Sequence, residues 1–282
     1  LLFMHLKFTL ITLFICLGIK AQENNSLLWE ISGNGLQKSS YLYGTMHVSK
    51  KIAFRLDDVF YEALDKSEII ALESDPNTWL DNDDINGSSI RSIGSGLMTK
   101  GFYTYPFLIN NPRKENIATY LAAEDQIINN ILYRTSSFSQ NFEEETYLDM
   151  FIYQAGKKFD KKIVALEDME ESATLVARAS KNPIKPKPDE WLLRRMQQQE
   201  PMFMLQDAYR ERNISLLDSI DRAMYTPYYI ENMLHIRNYN MAKSLDSVMQ
   251  LGKVFAGIGA AHLPGKNGVI DILQKKGYTV KA

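Results

Sequence analysis

Two histidines and two glutamates of this 282-residue chain stand where apolar runs end, at positions suited to chemistry. His47 and His262 each close a Gly-x-x-His motif, and Glu73 and Glu167 each end a short run rich in Ile, Val, Leu and Ala. Imidazole and carboxylate groups together suit Mn, Co, Zn or Fe better than Ca. A glutamate and a histidine can also activate water directly as general bases. The residue types therefore indicate a hydrolytic or a ligand-binding site, with or without a metal.

The Gly-x-x-His motif occurs twice, beginning at Gly44 and at Gly259. Random placement of 15 Gly and 4 His would give about 0.2 such motifs in a chain of this length. Each glycine is expected to let the backbone turn sharply as it leaves the sheet, or to let backbone or ligand approach closely. For either histidine taken alone, an ordinary hydrogen-bonded histidine near a strand end is the competing interpretation.

Arg237 is a charged residue on an otherwise apolar helical stripe. The other members of the stripe are Ile230, Leu234, Met241, Leu245 and Val248. A charge at such a position needs a partner. Arg237 could hold a carboxylate of the site, polarise a substrate carbonyl, or form a purely structural ion pair with a buried acid. Asn238 beside it could donate or accept a hydrogen bond.

The elements that must position these residues follow from hydrophobic periodicity. Strands are predicted at 27–32, 41–43, 68–73, 162–167, 253–258 and 278–280, and helices at 57–67, 115–134, 142–159, within 189–250 and at 268–276. The proline-rich stretch 181–188 cannot be helical.

Alternating strands and helices predict the α/β class. We expect a mixed, mainly parallel central sheet flanked by helices, with a helical insertion or cap at about 76–160 and 189–250. In open α/β sheets, sites are built at the carboxyl ends of the strands. His47, Glu73, Glu167 and His262 are therefore expected at one edge.

The charge balance, 32 basic against 34 acidic residues, argues against a nucleic-acid partner. The apolar stretch 8–19 has the length of a signal-peptide core and falls short of the roughly 20 residues that span a bilayer. We therefore predict an export signal at 1–21, followed by a single domain at 22–282 without a transmembrane span, in the periplasm or outside the cell. An uncleaved anchor is the alternative. Cys16 is the only cysteine, so no disulfide framework is expected.

The chain resembles the TraB/GumN family over nearly its whole length after the signal. The motifs that carry the resemblance lie at 28–31, 41–48, 71–73, 166–167, 237–238 and 257–265. The family includes the Tiki proteins, which are metal-dependent proteases that use manganese or cobalt, and it is similar to the erythromycin-esterase and haem-binding ChaN folds.

The resemblance implies roles for individual residues. His47, Glu73 and His262 match the catalytic motif, and Glu167, Arg237 and Asn238 match further motif positions. The chain departs from the family after Glu167, where Asp168 and Ser172 replace a frequent Thr and a later Gln.

From these observations we predict a metal-dependent hydrolase of the cell envelope, a Tiki-like metallopeptidase that cleaves a peptide or amide bond. His47, His262 and Glu73 are the predicted metal ligands, with Glu73 alternatively a general base. Arg237 is predicted to stabilise an oxyanion, and Glu167 and Asn238 to assist. Manganese or cobalt is favoured by the resemblance, with zinc or iron as alternatives, and the expected partner is a peptide or protein substrate.

Two other functions stay open from the sequence. The protein could be a metal-independent, esterase-like hydrolase in which a Glu and His pair activates water. It could also be a non-catalytic protein that binds haem or another cofactor. A serine hydrolase is disfavoured, because the chain has no Gly-x-Ser-x-Gly motif.

Overall fold

The computed structural model describes residues 25–46, 53, 55–74 and 148–282. Four predictions lie outside these ranges: the export signal at 1–21, the helix at 115–134, most of the first helical insertion, and the placement of His47. Within the described ranges, no helix has both the length and the apolar character needed to cross a bilayer.

Six strands form one sheet. They are β1 (Leu28–Gly33), β2 (Ser40–Thr45), β3 (Ile69–Leu72), β4 (Lys162–Ala165), β5 (Val254–Gly259) and β6 (Tyr278–Lys281). Their order across the sheet is β4-β3-β5-β2-β1-β6. The pairs from β4 to β2 are parallel, while β1 is antiparallel to both β2 and β6. The predicted mixed, mainly parallel sheet of the α/β class is confirmed.

The burial of each strand follows its place in the sheet. Every residue of β3 and β5, in the middle of the parallel part, is buried. Parallel strands covered on both faces have continuous apolar sequences, and IIAL and VFAGIG fit that rule. The edge strand β6 instead alternates buried Tyr278 and Val280 with exposed neighbours. The sequence pattern therefore distinguishes central strands from this edge strand.

Helices pack around the sheet. They are α1 (Asp58–Lys66), α2 (Leu148–Lys158), α3 (Met169–Ala179), α4 (Glu190–Met196), α5 (Pro201–Arg210), α6 (Ile214–Met224), α7 (Pro227–Ile230), α8 (Ile236–Met249) and α9 (Val269–Lys275). A π-helical turn (Glu231–His235) joins α7 to α8, and a 3-10 turn (Ala260–His262) follows β5. Asp57, Asp168 and Asn213 cap α1, α3 and α6, because their side chains accept hydrogen bonds from backbone amides of the first turn.

The helical segments expected as an insertion or cap each contribute a helix that packs directly on the sheet. Helix α2 contacts β3 and β4, and α8 contacts β5 and α9. Gly156 allows the close approach of α2, since a Cβ at this position would lie 2.7 Å from Cγ1 of Ile70. The stretch 181–188 is not helical, as its prolines require, and Ile184 forms an isolated bridge with Tyr225.

Candidate functional site

The carboxyl ends of parallel strands bring the predicted residues to one edge of the sheet. Glu167, Glu73 and His262 follow β4, β3 and β5, which are neighbours in that order. The amide of Glu167 donates to the carbonyl of Glu73 at 3.0 Å, so the pairing of β3 with β4 extends to these residues. Strand β2 ends beside β5, where Thr45 pairs with Gly259. His47, two residues further along the chain, lies outside the described residues.

Arg237 joins the two glutamates. Its Nη2 donates to Oε2 of Glu73 at 2.9 Å and to Oε2 of Glu167 at 2.6 Å, and its Nε donates to Oε1 of Glu167 at 2.9 Å. Two guanidinium nitrogens therefore hold Glu167 in a bidentate geometry that a lysine cannot reproduce. Among the roles open to Arg237 from the sequence, the contact with carboxylates at the sheet edge is the one observed.

Glu73 is oriented from both sides. Its Oε1 accepts a hydrogen bond of 2.7 Å from the amide of Gly259, the last residue of β5, and its Oε2 accepts from Arg237. Each oxygen of a carboxylate has two lone pairs, so each can accept a second bond. The backbone of β5 and the guanidinium of α8 thus fix the plane of this carboxylate.

The glutamate–arginine cluster is buried, and burial shifts the pKa of Glu167. The side chains of Arg237, Glu73 and Glu167 are 0%, 4% and 5% exposed. Burial raises the pKa of the Glu167 carboxyl above its ordinary value of 4.5, the charge and hydrogen bonds of Arg237 oppose that rise, and the charge of Glu73 adds to it.

The raised pKa of Glu167 predicts a pH-dependent stability. Between the unfolded and the folded pKa, the native state binds more protons than the unfolded state, so the free energy of unfolding falls as pH rises through that interval. Each pH unit that separates the two pKa values corresponds to about 1.4 kcal/mol. Urea unfolding of the wild type from pH 4.5 upward should show this loss, and Glu167→Gln should lack it.

The control for this prediction is Glu170→Gln, which removes an exposed carboxylate one turn away on α3. Its stability should follow the wild-type dependence on pH. Parallel pH profiles for the wild type and Glu167→Gln would contradict a raised pKa at Glu167.

A second chain of hydrogen bonds fixes the tautomer of His262. Nδ2 of Asn238 donates to the backbone carbonyl of Asn267 at 2.8 Å, and a carbonyl can only accept. The amide oxygen of Asn238 therefore faces Nδ1 of His262, at 2.6 Å, and Nδ1 must carry the proton. In the neutral imidazole the lone pair then resides on Nε2. This arrangement suits a histidine that ligates a metal or acts as a base.

Arg237 reaches the sheet edge from the apolar stripe that the sequence predicts. The stripe residues Ile230, Leu234, Met241 and Leu245 are buried. Because the guanidinium is fully buried, its donors must be satisfied internally, and its Nη1 donates to the carbonyl of Met233 at 3.3 Å.

A π-helical turn precedes α8 directly and was not predicted from the sequence. The amide of Ile236 donates to the carbonyl of Glu231, five residues earlier. Such single turns are frequent at functional sites, where one extra residue changes which side chains a helix directs inward. Hydrophobic periodicity alone does not reveal it, since the apolar spacing stays compatible with a continuous helix.

The two positions that depart from the family pattern have defined places in the structure. Asp168 caps α3 by accepting a hydrogen bond of 2.9 Å from the amide of Glu171. Ser172, one turn into the same helix, donates to Oε2 of Glu167 at 3.4 Å. The helix after Glu167 thus takes part in orienting that carboxylate, a contribution that the sequence analysis missed.

Other contacts at this edge were also not predicted from the sequence. The hydroxyl of Thr45 donates to Oδ1 of Asp149 at 2.8 Å and so connects the end of β2 to α2. The amide of Gly259 and the carbonyl of Asn267 act through the backbone, so residue types give no signal for them.

The glycines of the two Gly-x-x-His motifs serve close approach. A Cβ at Gly44 would lie 3.1 Å from Cβ of Ala260 and 3.2 Å from Cδ2 of Leu263, so β2 packs tightly against the turn that carries His262. Gly259 has φ −50°, which other residues also adopt. Of the two expected reasons for these glycines, close packing is therefore the one observed, at Gly44.

The donor set fits a transition metal only if a further residue completes it. His262 has its lone pair on Nε2, and Glu73 presents a fixed carboxylate. Among the described residues, no three His, Cys, Asp or Glu side chains come together as a set able to hold a metal ion. His47, the predicted third ligand, lies outside those residues.

The fold and the site define an α/β protein with a histidine and two arginine-linked carboxylates at the carboxyl edge of its sheet. The chain belongs to the TraB/PrgY/gumN family, whose model matches residues 27–282. No individual curated protein matches the chain significantly.

Proposed function

We propose that this protein is a metal-dependent hydrolase that cleaves a peptide or amide bond in the cell envelope, after export to the periplasm or the cell exterior. The observation that carries the proposal is the chain from Asn267 through Asn238 to His262, which leaves the imidazole lone pair on Nε2. The carboxylate of Glu73, which Arg237 and the amide of Gly259 hold in place at the same edge, adds support, because it is a second group able to bind a metal.

His47, His262 and Glu73 would hold the metal. Manganese or cobalt is favoured by the likeness to the Tiki proteins, and zinc or iron would also suit these ligands. A metal held there would supply an activated water and would polarise the scissile carbonyl.

The chain's own residues prepare the site. Asn238 holds the ring of His262 and keeps the proton on Nδ1. Arg237 and the amide of Gly259 fix the carboxylate of Glu73. Glu167, with its raised pKa, can hold a proton beside the site. The donors of Arg237 face two carboxylates in the buried interior, so we assign Arg237 to positioning them rather than to a substrate oxyanion.

The proposal predicts the metal content of purified protein. Residues 22–282 would be stripped, reloaded with Mn, Co or Zn, and examined by elemental analysis. We expect near one metal ion per chain in the wild type, and none in His47→Ala or His262→Ala, because either change removes an imidazole ligand. Circular dichroism would show that both variants fold.

His235→Ala is the matched control, since this half-buried histidine pairs with Glu231 on the π-helical turn. It should keep the wild-type metal content. Equal stoichiometry in the wild type and both ligand variants would reject the metal site.

Metal-free hydrolysis is a second candidate, because the same tautomer of His262 suits a general base. Hydrolysis of a mixed peptide and ester substrate panel that survives complete chelation, yet is lost in His262→Ala, would favour it over the metal-dependent reaction.

A further inference from the structure

A basic cleft lies beside the candidate site. It has a volume of about 310 Å³, including its opening to solvent, and it is lined by Leu27, Tyr43, Arg55, Tyr209, Arg210 and Arg212. Three of the six lining residues are arginines, so the walls of the cleft are strongly basic although the chain as a whole is nearly neutral. Such walls favour a negatively charged ligand.

The charges around the cleft leave a positive excess. Arg210 pairs with Asp207, and Nη2 of Arg212 donates to Oδ2 of Asp57 at 2.7 Å. Among the described residues, no carboxylate lies within ion-pair distance of Arg55, whose side chain is exposed. The lining itself has three arginines and no carboxylate, and Asp149, whose charge also reaches Tyr209, accepts a hydrogen bond from Thr45.

The tyrosines do not cancel that excess. Burial raises the pKa of Tyr43 to about 12 and holds the pKa of Tyr209 well above its ordinary value. Both phenols are therefore neutral at physiological pH and add no negative charge to the walls.

An anionic ligand can replace the carboxylate partners of Arg210 and Arg212. The side chains of Arg210 and Arg212 are 49% and 44% exposed. Ion pairs at such exposure contribute little to stability, so a guanidinium can exchange its partner at small cost. The planar fork of arginine matches the oxygens of a carboxylate or a phosphate.

Gly44 connects the cleft to the sheet edge. Its amide donates to the carbonyl of Leu27 at 2.8 Å, and its carbonyl accepts a hydrogen bond of 3.0 Å from the hydroxyl of Tyr209. The same glycine packs against Ala260 in the turn that carries His262. The end of β2 therefore contacts both a tyrosine of the cleft and the turn that carries His262.

We propose that this cleft binds an oxyanion of the substrate, a carboxylate or a phosphate group, with Arg55 and Arg212 as the principal contacts. Resting on the proposed function, this inference narrows the substrate class to peptides that carry a negative group near the bond to be cleaved.

The test is calorimetric titration of chelator-treated protein, residues 22–282, at constant ionic strength. The probes are N-acetylglutamate, inorganic phosphate and the neutral N-acetylglutamine amide. We expect saturable binding of at least one anion and none of the neutral probe. Arg55→Gln and Arg212→Gln should each weaken the binding roughly tenfold, the usual loss for one charge-assisted hydrogen bond.

Arg194→Gln is the control, because it also removes one positive charge but lies on α4, with its side chain 71% exposed and outside the cleft. It should leave the affinity unchanged. Saturation by N-acetylglutamate alone would identify a carboxylate, and saturation by phosphate alone a phosphate group. No saturable anion binding, or equal affinity in the wild type and Arg55→Gln, would overturn the inference.

The experiment is independent of metal and turnover. If the protein binds metal but no anion, the inference about an anionic substrate is rejected and the proposed metal-dependent reaction is kept. Anion binding in a protein that takes up no metal would keep the cleft as an anion site and remove the metal-dependent reaction.

Discussion

Replacing Arg237 with methionine should lower the free energy of unfolding by about 3–5 kcal/mol, the cost of leaving buried charges without their partner. Glu73 and Glu167 both accept from this guanidinium, and all three side chains are at most 5% exposed. Methionine is apolar and similar in length to arginine. The lost stability therefore reflects buried carboxylates without a cationic partner, and not a cavity. Urea unfolding at pH 7 would measure it.

The physical cause can be separated from packing by removing the charges together. In the triple variant Arg237→Met, Glu73→Gln, Glu167→Gln, no buried ion is left, so much of the lost stability should return. Arg237→Lys should fall between the wild type and Arg237→Met, because an ammonium restores the charge without the bidentate geometry. A triple variant no more stable than Arg237→Met would show that packing, and not charge, sets the cost.

Replacing Asn238 with alanine should weaken metal binding by about 10–100-fold, the usual effect of removing the group that orients a histidine ligand. The amide of Asn238 accepts from Nδ1 of His262, and without it the ring can rotate or place its proton on Nε2. Competition of the wild type and the variant against a chelator of known affinity, with Mn and with Zn, would measure the change.

Two further variants make the Asn238 result specific. Asn238→Asp keeps an acceptor for Nδ1 of His262 and should retain more affinity than Asn238→Ala, although it repels the carbonyl of Asn267. Asn240→Ala removes a half-buried amide on the same helix, which donates to Glu171, and it should bind metal as the wild type does. Equal affinities for Asn238→Ala and Asn240→Ala would contradict the orienting role.

Much of the site could be predicted because its residues stand at local boundaries. Glu73 and Glu167 directly follow short apolar runs that are typical of strands, and Arg237 occupies a stripe whose other members are apolar. Periodicity of this kind depends on residues within a few positions of each other, so a linear pattern contains it.

The contact between α3 and Glu167 and the π-helical turn before α8 were harder to predict. Ser172 contacts Glu167 although its residue type departs from the family pattern, and the π-helical turn before α8 leaves the apolar spacing unchanged. In both places the decisive interaction is a single hydrogen bond or one extra residue in a turn, which periodicity does not register.

From the sequence follow the α/β class, the approximate positions of the six strands and the places of Glu73, Glu167 and His262 just after strands. The order β4-β3-β5-β2 and the partners of Arg237, which lie 164 and 70 residues away along the chain, become visible only in the folded structure. The same holds for the backbone donors and acceptors at Gly259 and Asn267. The physical reason is that local patterns fix which face of an element is buried, whereas contacts between distant segments depend on how those faces pack together.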